Sequence, residues 1–363
     1  MRVALLTPTY WPEVRRGTER VVHDLGVALA ARGHEVTVLT THAQAREESG
    51  EDGMRVVRSR RLPQLPGLAA HEYHLAGIPI AWLRLIRGEF DVAQAFFPTD
   101  AWAAVRARRR GGPPVVATIH GIPVREYLVA RRYRLDMHLE IARSAEECTV
   151  LSRAAARPFA RYLLREPVIL PGGVVGERLR STSSRAELPT LFCASSLGDP
   201  RKRAGLLFGA FERLRARTPE ARLRVARPRD PFMSSAPPGL PDGATWVDVD
   251  SDTAMADEYA SAWASVNPAV GEAFGLVTVE SLAAGTPAVG DDSGATAEIV
   301  NDGVGRVFAS GDECDLERAL GEALELGRRD DVRAACRARA ERYEWAEIVK
   351  EYESVYQRAC APP

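Results

Sequence analysis

Lysine is nearly missing from this chain of 363 residues: only Lys202 and Lys350 occur, so arginine carries almost all of the positive charge. Cysteine is sparse, scattered and odd in number (Cys148, Cys193, Cys314, Cys336 and Cys360), with no Cys-x-x-Cys pair. That excludes a disulfide framework or a zinc ribbon and suits a reducing cytoplasm. Long apolar runs are also missing. The longest, Leu75 to Leu83, is about half of what a membrane-spanning helix needs. Met1 to Pro8 has one charge and no small-residue cleavage site after its apolar run, so it reads as a first buried strand rather than a signal peptide. No His-x-x-x-His, Gly-x-Ser-x-Gly or strand-one Gly-x-Gly-x-x-Gly pattern is present. Basic residues are not interleaved with aromatics, so nucleic acid is not an expected partner.

What remains is the composition of a soluble globular protein, 45% hydrophobic and 27% charged. The length exceeds what one compact core usually supports and implies two domains. A net charge of −1 hides an asymmetry. Residues 1–180 hold 27 Arg and 19 acids, a net of +8, whereas residues 181–363 hold 21 basic residues and 30 acids, a net of −9. A basic first half suits an anionic acceptor or peripheral contact with the inner face of a membrane. The run Arg106-Ala-Arg-Arg-Arg110 reads as a solvated helix end or loop.

Strand-like runs at Val3–Leu6, Gly33–Leu39, Met54–Val57, Val92–Phe96, Val115–Ile119, Cys148–Leu151 and Val168–Leu170 alternate with helical patterns. Such alternation implies a parallel sheet covered by helices on both faces. Pro171-Gly172-Gly173 and the polar stretch Ser181 to Pro189 read as a linker. The pattern then restarts, with strands expected at Leu191–Ala194, Leu223–Val225, Thr245–Val247, Ala264–Val266 and Pro287–Val289. Two Rossmann-like α/β domains in tandem are the expectation. Tyr343 to Tyr356 forms an amphipathic helix with aromatic anchors.

The densest signal is Gly271-Glu272-Ala273-Phe274-Gly275-Leu276-Val277-Thr278-Val279-Glu280, leading into Ser-Leu-Ala-Ala-Gly-Thr-Pro287. Two carboxylates flank a small loop, and a short apolar helix beginning near Leu276 and stopped by Gly-Thr-Pro would turn its free N–H groups toward that loop. A helix N-terminus there suits a diphosphate, while the carboxylates suit sugar hydroxyls. On spacing alone, helix-end charges would serve as well.

This segment resembles the Glu-x7-Glu signature of retaining glycosyltransferases with the GT-B fold, family 4. The resemblance implies two Rossmann-like domains facing across a cleft. It puts the acceptor-binding domain at 1–175, the nucleotide-sugar donor domain at 176–345 and a last helix, 346–363, crossing back to the first domain. It further implies transfer of a hexosyl group from a nucleoside-diphosphate sugar to an acceptor hydroxyl with retention, assisted by the leaving phosphate. By the same resemblance Glu272 meets the donor hexose, the backbone of Phe274, Gly275 and Leu276 meets the diphosphate, and Glu280 holds the ribose. His120, directly after the strand Val115–Ile119, would lie against the donor sugar. Lys202, within Asp199-Pro200-Arg201-Lys202-Arg203, would bind the diphosphate, with Arg201 second; Gly17 would bring backbone close to donor or acceptor.

Two departures stand out. Arg16-Gly17 replaces the family's paired glycines, and Ser195-Ser196 stands where many relatives have Gly-Arg. Gly173-Val174 resembles the family's hinge turn, without its polar flanks. Asp292 has no clear role. No metal or other cofactor is expected, because helix N–H groups and cations would neutralise the diphosphate. Asp248-Val249-Asp250, a metal-binding pattern in another glycosyltransferase class, reads as a loop charge pair. A GT-B-like epimerase and a non-catalytic nucleotide-sugar-binding protein are the alternatives.

Overall fold

The computed structural model describes all residues except 15, 44–46, 62–72, 196, 229–238 and 363, so Ser196 of the Ser195-Ser196 departure lies outside the described residues. The chain forms two compact units, residues 1–173 with 345–363 and residues 174–344.

In the first unit β1 (Arg2–Leu6), α1 (Gly17–Ala31), β2 (Glu35–His42), β3 (Glu47–Glu51), β4 (Met54–Arg60), α2 (Ile78–Arg87), β5 (Val92–Ala95) and α3 (Pro98–Arg108) follow one another. After them come β6 (Val115–Ile119), α4 (Arg125–Val129), α5 (Arg132–Ser144), β7 (Glu147–Val150), α6 (Arg153–Leu163) and β8 (Val168–Ile169). The sheet order is β3-β4-β2-β1-β5-β6-β7-β8. Val3, Ala4, Leu5 and Leu6 are all fully buried, the signature of a central parallel strand covered on both faces. The sheet is not wholly parallel, contrary to expectation. β3 pairs antiparallel with β4 through a turn in which Asp52 and Gly53 both take positive φ (48° and 79°), as a two-residue hairpin of type I′ requires.

The second unit runs through β9 (Thr190–Cys193), α7 (Ala204–Arg217), β10 (Arg222–Ala226), β11 (Ala244–Val247), α8 (Asp252–Ser261), β12 (Ala264–Asn267) and α9 (Leu276–Ala284). It continues with β13 (Ala288–Asp291), α10 (Thr296–Ile299), β14 (Gly305–Phe308), α11 (Glu313–Gly327) and α12 (Val332–Glu341). Its six strands are all parallel, in the order β11-β10-β9-β12-β13-β14. Side chains cap α8 and α11: Ser251 Oγ accepts from Ala254 N and an Asp312 carboxyl oxygen from Asp315 N.

The polar stretch Ser181 to Pro189 is part of this unit rather than a free linker. Ser181 and Ser183 hydroxyls both donate to Asp257 Oδ1, and the Trp263 indole donates to Ala186 O at 2.7 Å. These bonds explain how a sequence with few apolar residues stays ordered.

The last helix, α13 (Trp345–Cys360), belongs to the first unit. Trp345, Ile348, Val349, Tyr352, Val355, Tyr356 and Ala359 form its buried stripe, at the spacing of one helical face. Tyr356 Oη donates to Gln94 Oε1 in the sheet, and Glu353 pairs with Arg32 (2.6 Å) and His34 (2.9 Å). A side chain at Gly173 would fall 2.5 Å from the Trp345 ring, so glycine is needed where the chain leaves this unit. Among the described residues no helix is long and apolar enough to cross a membrane.

Candidate active site

In the second unit the carboxyl ends of the adjacent strands β9, β12 and β13 carry polar groups. Ser195 Oγ donates to Asn267 Oδ1 at 2.8 Å, while Asn267 Nδ2 is buried with no hydrogen-bond partner among the described residues. The loop from Asn267 to α9 is fastened from two directions. Val270 N donates to Arg201 O (3.0 Å), and Gly271 N donates to Ser293 Oγ (3.1 Å). Ala295 N donates to Glu272 O at 2.8 Å.

This loop brings Glu272 onto Lys202. Lys202 Nζ lies 2.5 Å from Glu272 Oε1, with each side chain 18% exposed, so the pair is largely shielded yet open at one side. Arg201 is turned to another task. Its guanidinium pairs with Asp199 at 2.7 Å and is 67% exposed. Burial opposes the Asp199 charge, but the Arg201 side chain and amide hold its carboxyl below the usual range. Arg203 takes a left-handed conformation (φ 45°) at the start of α7, and its Nη1 lies 3.3 Å from Ser310 Oγ and 3.7 Å from the buried Asp291 carboxylate.

Helix α9 starts at Leu276, as its spacing implies. Gly275 caps it at φ 83°, a conformation glycine adopts without strain, and no side chain bonds the helix N-terminus. Thr278 Oγ1, in the first turn, is buried without a hydrogen-bond partner among the described residues. Phe274 is buried against the edge of Tyr343, ring centroids 5.8 Å apart. Glu280 is 3% exposed and accepts from Tyr259 Oη at 3.4 Å, the same hydroxyl lying 3.1 Å from Val277 O. Gly285, at φ 89°, ends the helix. Asp292 accepts from Ser310 N at 3.0 Å, which fastens the turn after β13.

In the first unit His120 stands at the carboxyl end of β6. Its Nδ1 is 3.2 Å from Thr18 Oγ1 in the first turn of α1, and the Phe96 ring meets it edge-on at 5.3 Å. His120 Nε2 is shielded and has no hydrogen-bond partner among the described residues. Burial pushes its pKa down to about 3, so the imidazole is neutral at ordinary pH. Gly17 is the first residue of α1, and a Cβ there would meet nothing within 4 Å, so the backbone is open to approach.

Sequence reasoning placed Lys202, Glu272 and α9 but missed Tyr259, Thr18, Asn267 and the Arg203–Asp291 contact. Asn267 and Asp291 had a signal, since each ends a parallel strand of an open sheet. Tyr259 and Thr18 had none, because only the fold sets them beside Glu280 and His120. Asp248, in the Asp-x-Asp pattern, pairs with Arg227 at 3.1 Å.

Two family models match successive parts of the chain: Glycosyltransferase Family 4 over residues 15–178 and Glycosyl transferases group 1 over residues 188–325. The chain belongs to family 4 of the GT-B glycosyltransferases. It is 27% identical over 373 residues to a phosphatidyl-myo-inositol mannosyltransferase of Mycobacterium leprae, covering 98% of this chain and 96% of the relative. It is 28% identical over 365 residues to a GDP-mannose-dependent alpha-(1-6)-phosphatidylinositol monomannoside mannosyltransferase of Mycolicibacterium smegmatis, covering 92% and 91%. Sucrose-phosphate synthase from Thermosynechococcus elongatus shares its fold, with a TM-score of 0.79 at 19% identity and 98% of each chain covered. Anabaena HepE in complex with UDP-glucose superposes with a TM-score of 0.74 at 15% identity, covering 98% of this chain and 99% of that one. The family 4 member described here is thus a glycosyltransferase enzyme that uses a nucleotide sugar.

Proposed function

We propose that this enzyme transfers a mannosyl group, with retention, from GDP-mannose to a hydroxyl of an inositol phospholipid at the inner membrane face, without a metal ion. Support for donor and acceptor comes from the mannosyltransferase relatives, which match over nearly their whole length. The observation that carries the chemistry is the pairing of Lys202 with Glu272, which lies on the loop leading into α9, a helix whose start is capped by Gly275 with no side-chain bond.

Departure of the nucleotide develops negative charge on the diphosphate. Lys202 and the first N–H groups of α9 are fixed donors for that charge, most effective in the transition state. Glu272 is then released to accept from mannose hydroxyls, and Glu280, oriented by Tyr259, accepts from the ribose. Neutral His120 offers a hydrogen bond to the donor sugar rather than a charge. Attack of the acceptor hydroxyl on the face the diphosphate leaves, with that diphosphate taking its proton, forms one glycosidic bond as one sugar–phosphate bond breaks.

The test incubates the enzyme with labelled GDP-mannose or UDP-glucose and vesicles containing phosphatidylinositol, with and without excess chelator. Mannosylated lipid of α configuration, formed equally with chelator, is the expected product. Transfer only from UDP-glucose, an inverted product, or activity restored by Mg²⁺ or Mn²⁺ after chelation would each remove the corresponding part. Free epimerised sugar without lipid product would point to the epimerase alternative.

A further inference from the structure

Three guanidiniums of the second unit gather where no carboxylate answers them. Arg333 Nη2 donates to Ala260 O at 2.8 Å and Arg337 Nη2 to Ala284 O at 3.4 Å, so one turn of α12 sets two cations against the carboxyl ends of α8 and α9. Arg185 comes to the same corner from the other side. Its neighbour Ala186 donates through its N to Ser261 O, next to Ala260, and accepts from the Trp263 indole. Arg185 and Arg337 both bear on the buried Cys336 thiol, which stands on the same turn of α12. Asp331, two positions before Arg333, is taken by Arg329 at 2.7 Å.

Cations at helix carboxyl ends are ordinary, since they answer the negative end of the dipole. That accounts for Arg333 and Arg337. It does not account for Arg185, whose Nε and Nη2 are buried with no hydrogen-bond partner among the described residues. Shielded donors of a charged group cost free energy when they are left without an acceptor. The cluster also opposes itself. Burial, then the charge of Arg333, make Arg185 a weaker base than usual, and burial, then the charge of Arg337, do the same to Arg333.

We propose that Arg185, Arg333 and Arg337 form a binding site for a phosphate dianion, free or as a monoester, separate from the donor site. A guanidinium offers five N–H donors in a planar fork that matches phosphate oxygens. Arg333 and Arg337 each spend one on a helix carbonyl, which offsets the negative potential of the helix ends and leaves the others for the anion. Trp263 directly precedes β12 and Thr286-Pro287 precede β13, so the cluster stands at the amino ends of these parallel strands. Asn267, Asp291 and the loop into α9 stand at the carboxyl ends. The site is therefore independent of the donor and acceptor proposed above.

Calorimetric titration with inorganic phosphate, at an ionic strength held constant with chloride, tests it on the full chain. Saturable binding is expected in the wild type and in Lys202→Ala alike. Arg185→Gln and the more exposed Arg337→Gln should each weaken it by about tenfold or more, as loss of one charge-assisted hydrogen bond implies. Phosphate should also raise the melting temperature of the wild type and not that of Arg185→Gln. Without phosphate, Arg185→Gln should melt no lower than the wild type, because it removes a charge that has no partner. No binding, or binding lost in Lys202→Ala and kept in Arg185→Gln, would overturn the site. So would a lowered melting temperature of Arg185→Gln with phosphate affinity unchanged, which would make Arg185 a structural residue. Glucose 6-phosphate in a parallel titration separates the sources: tighter binding than phosphate supports the site as one for a phosphorylated metabolite, and weaker binding supports it as one for the free ion.

Discussion

Lys202 and Glu272, seventy positions apart in sequence, meet at 2.5 Å. Neither charge is thus left unpaired in a largely shielded position. In the donor-binding arrangement proposed above, the nucleotide sugar replaces one partner by phosphate and the other by hydroxyls. A ligand that supplies both does so at less cost than one that supplies only phosphate.

The first prediction follows from that exchange and has opposite signs for two ligands. Glu272→Ala frees Lys202, so free nucleoside diphosphate should bind more tightly, by about tenfold or more, the lower end of the range for one charge-assisted hydrogen bond. Intact donor loses its sugar contact, and transfer should fall steeply. Calorimetric titration with nucleotide and with nucleotide sugar measures both. Weaker binding of the free diphosphate by the variant would mean that the pair does not restrain Lys202.

Lys202 and its neighbour Arg201 should separate cleanly. Lys202→Ala removes a fixed cation from the site and should lower kcat on the order of a hundredfold. Arg201 is mostly exposed and occupied with Asp199, so Arg201→Ala should cost little beyond a surface ion pair. Steady-state kinetics at saturating donor decides between them. The reverse ranking would transfer the diphosphate role to Arg201.

Much of the second unit is readable from sequence because local rules agree there. Gly275 and Gly-Thr-Pro bracket α9, and the continuous apolar run Leu191–Ala194 marks β9 as a buried parallel strand. The hairpin strand β3 is not readable, since Glu-Glu-Ser-Gly-Glu has no apolar alternation; its backbone ladder with β4 is reinforced by side chains such as Arg58 on Glu51. Only Asp52-Gly53 hinted at it. The linker reading of Ser181 to Pro189 differs from the structure for a related reason: a polar stretch reads as solvated, whereas Asp257 gathers the hydroxyls of Ser181 and Ser183. Within the site, residue identities were visible but pairings were not. Nothing local distinguishes Lys202, which reaches Glu272, from Arg201, which turns back to Asp199.

Two glycines make a contrasting test of backbone geometry. A Cβ at Gly294 would lie 2.5 Å from Glu272 O and 2.6 Å from Glu272 N, atoms that cannot rotate away. Gly294→Ala should therefore displace the Glu272 loop and reduce transfer while free-nucleotide affinity is maintained or raised. Gly17→Ala meets open space and should not change the melting temperature; if a ligand approaches the backbone there, only its KM rises. A Gly294→Ala enzyme with unaltered kinetics would show that the loop tolerates displacement.

The pH dependence of stability isolates His120. Its pKa is depressed by burial to about 3, below the usual value near 6.5, so from pH 6.5 down to that value the unfolded chain binds a proton that the folded chain refuses. Stability is therefore complete above the unfolded pKa and declines as pH falls through it. His138, buried and also depressed, acts in the same direction, whereas His23, raised by Asp24 and Asp52 despite its burial, acts oppositely. The wild-type profile is a sum, and the difference from His120→Gln is the informative quantity. Denaturant unfolding at pH 7 and pH 5 should show the wild type losing more stability than the variant over that interval, by up to about 1.4 kcal/mol per pH unit. Transfer by the wild type should meanwhile show no ionisation attributable to His120 in this range, since the imidazole stays neutral throughout. Identical stability losses in the two proteins would mean that His120 is protonated as readily folded as unfolded, and its proposed role as a neutral hydrogen-bonding group beside the donor sugar would fail with it.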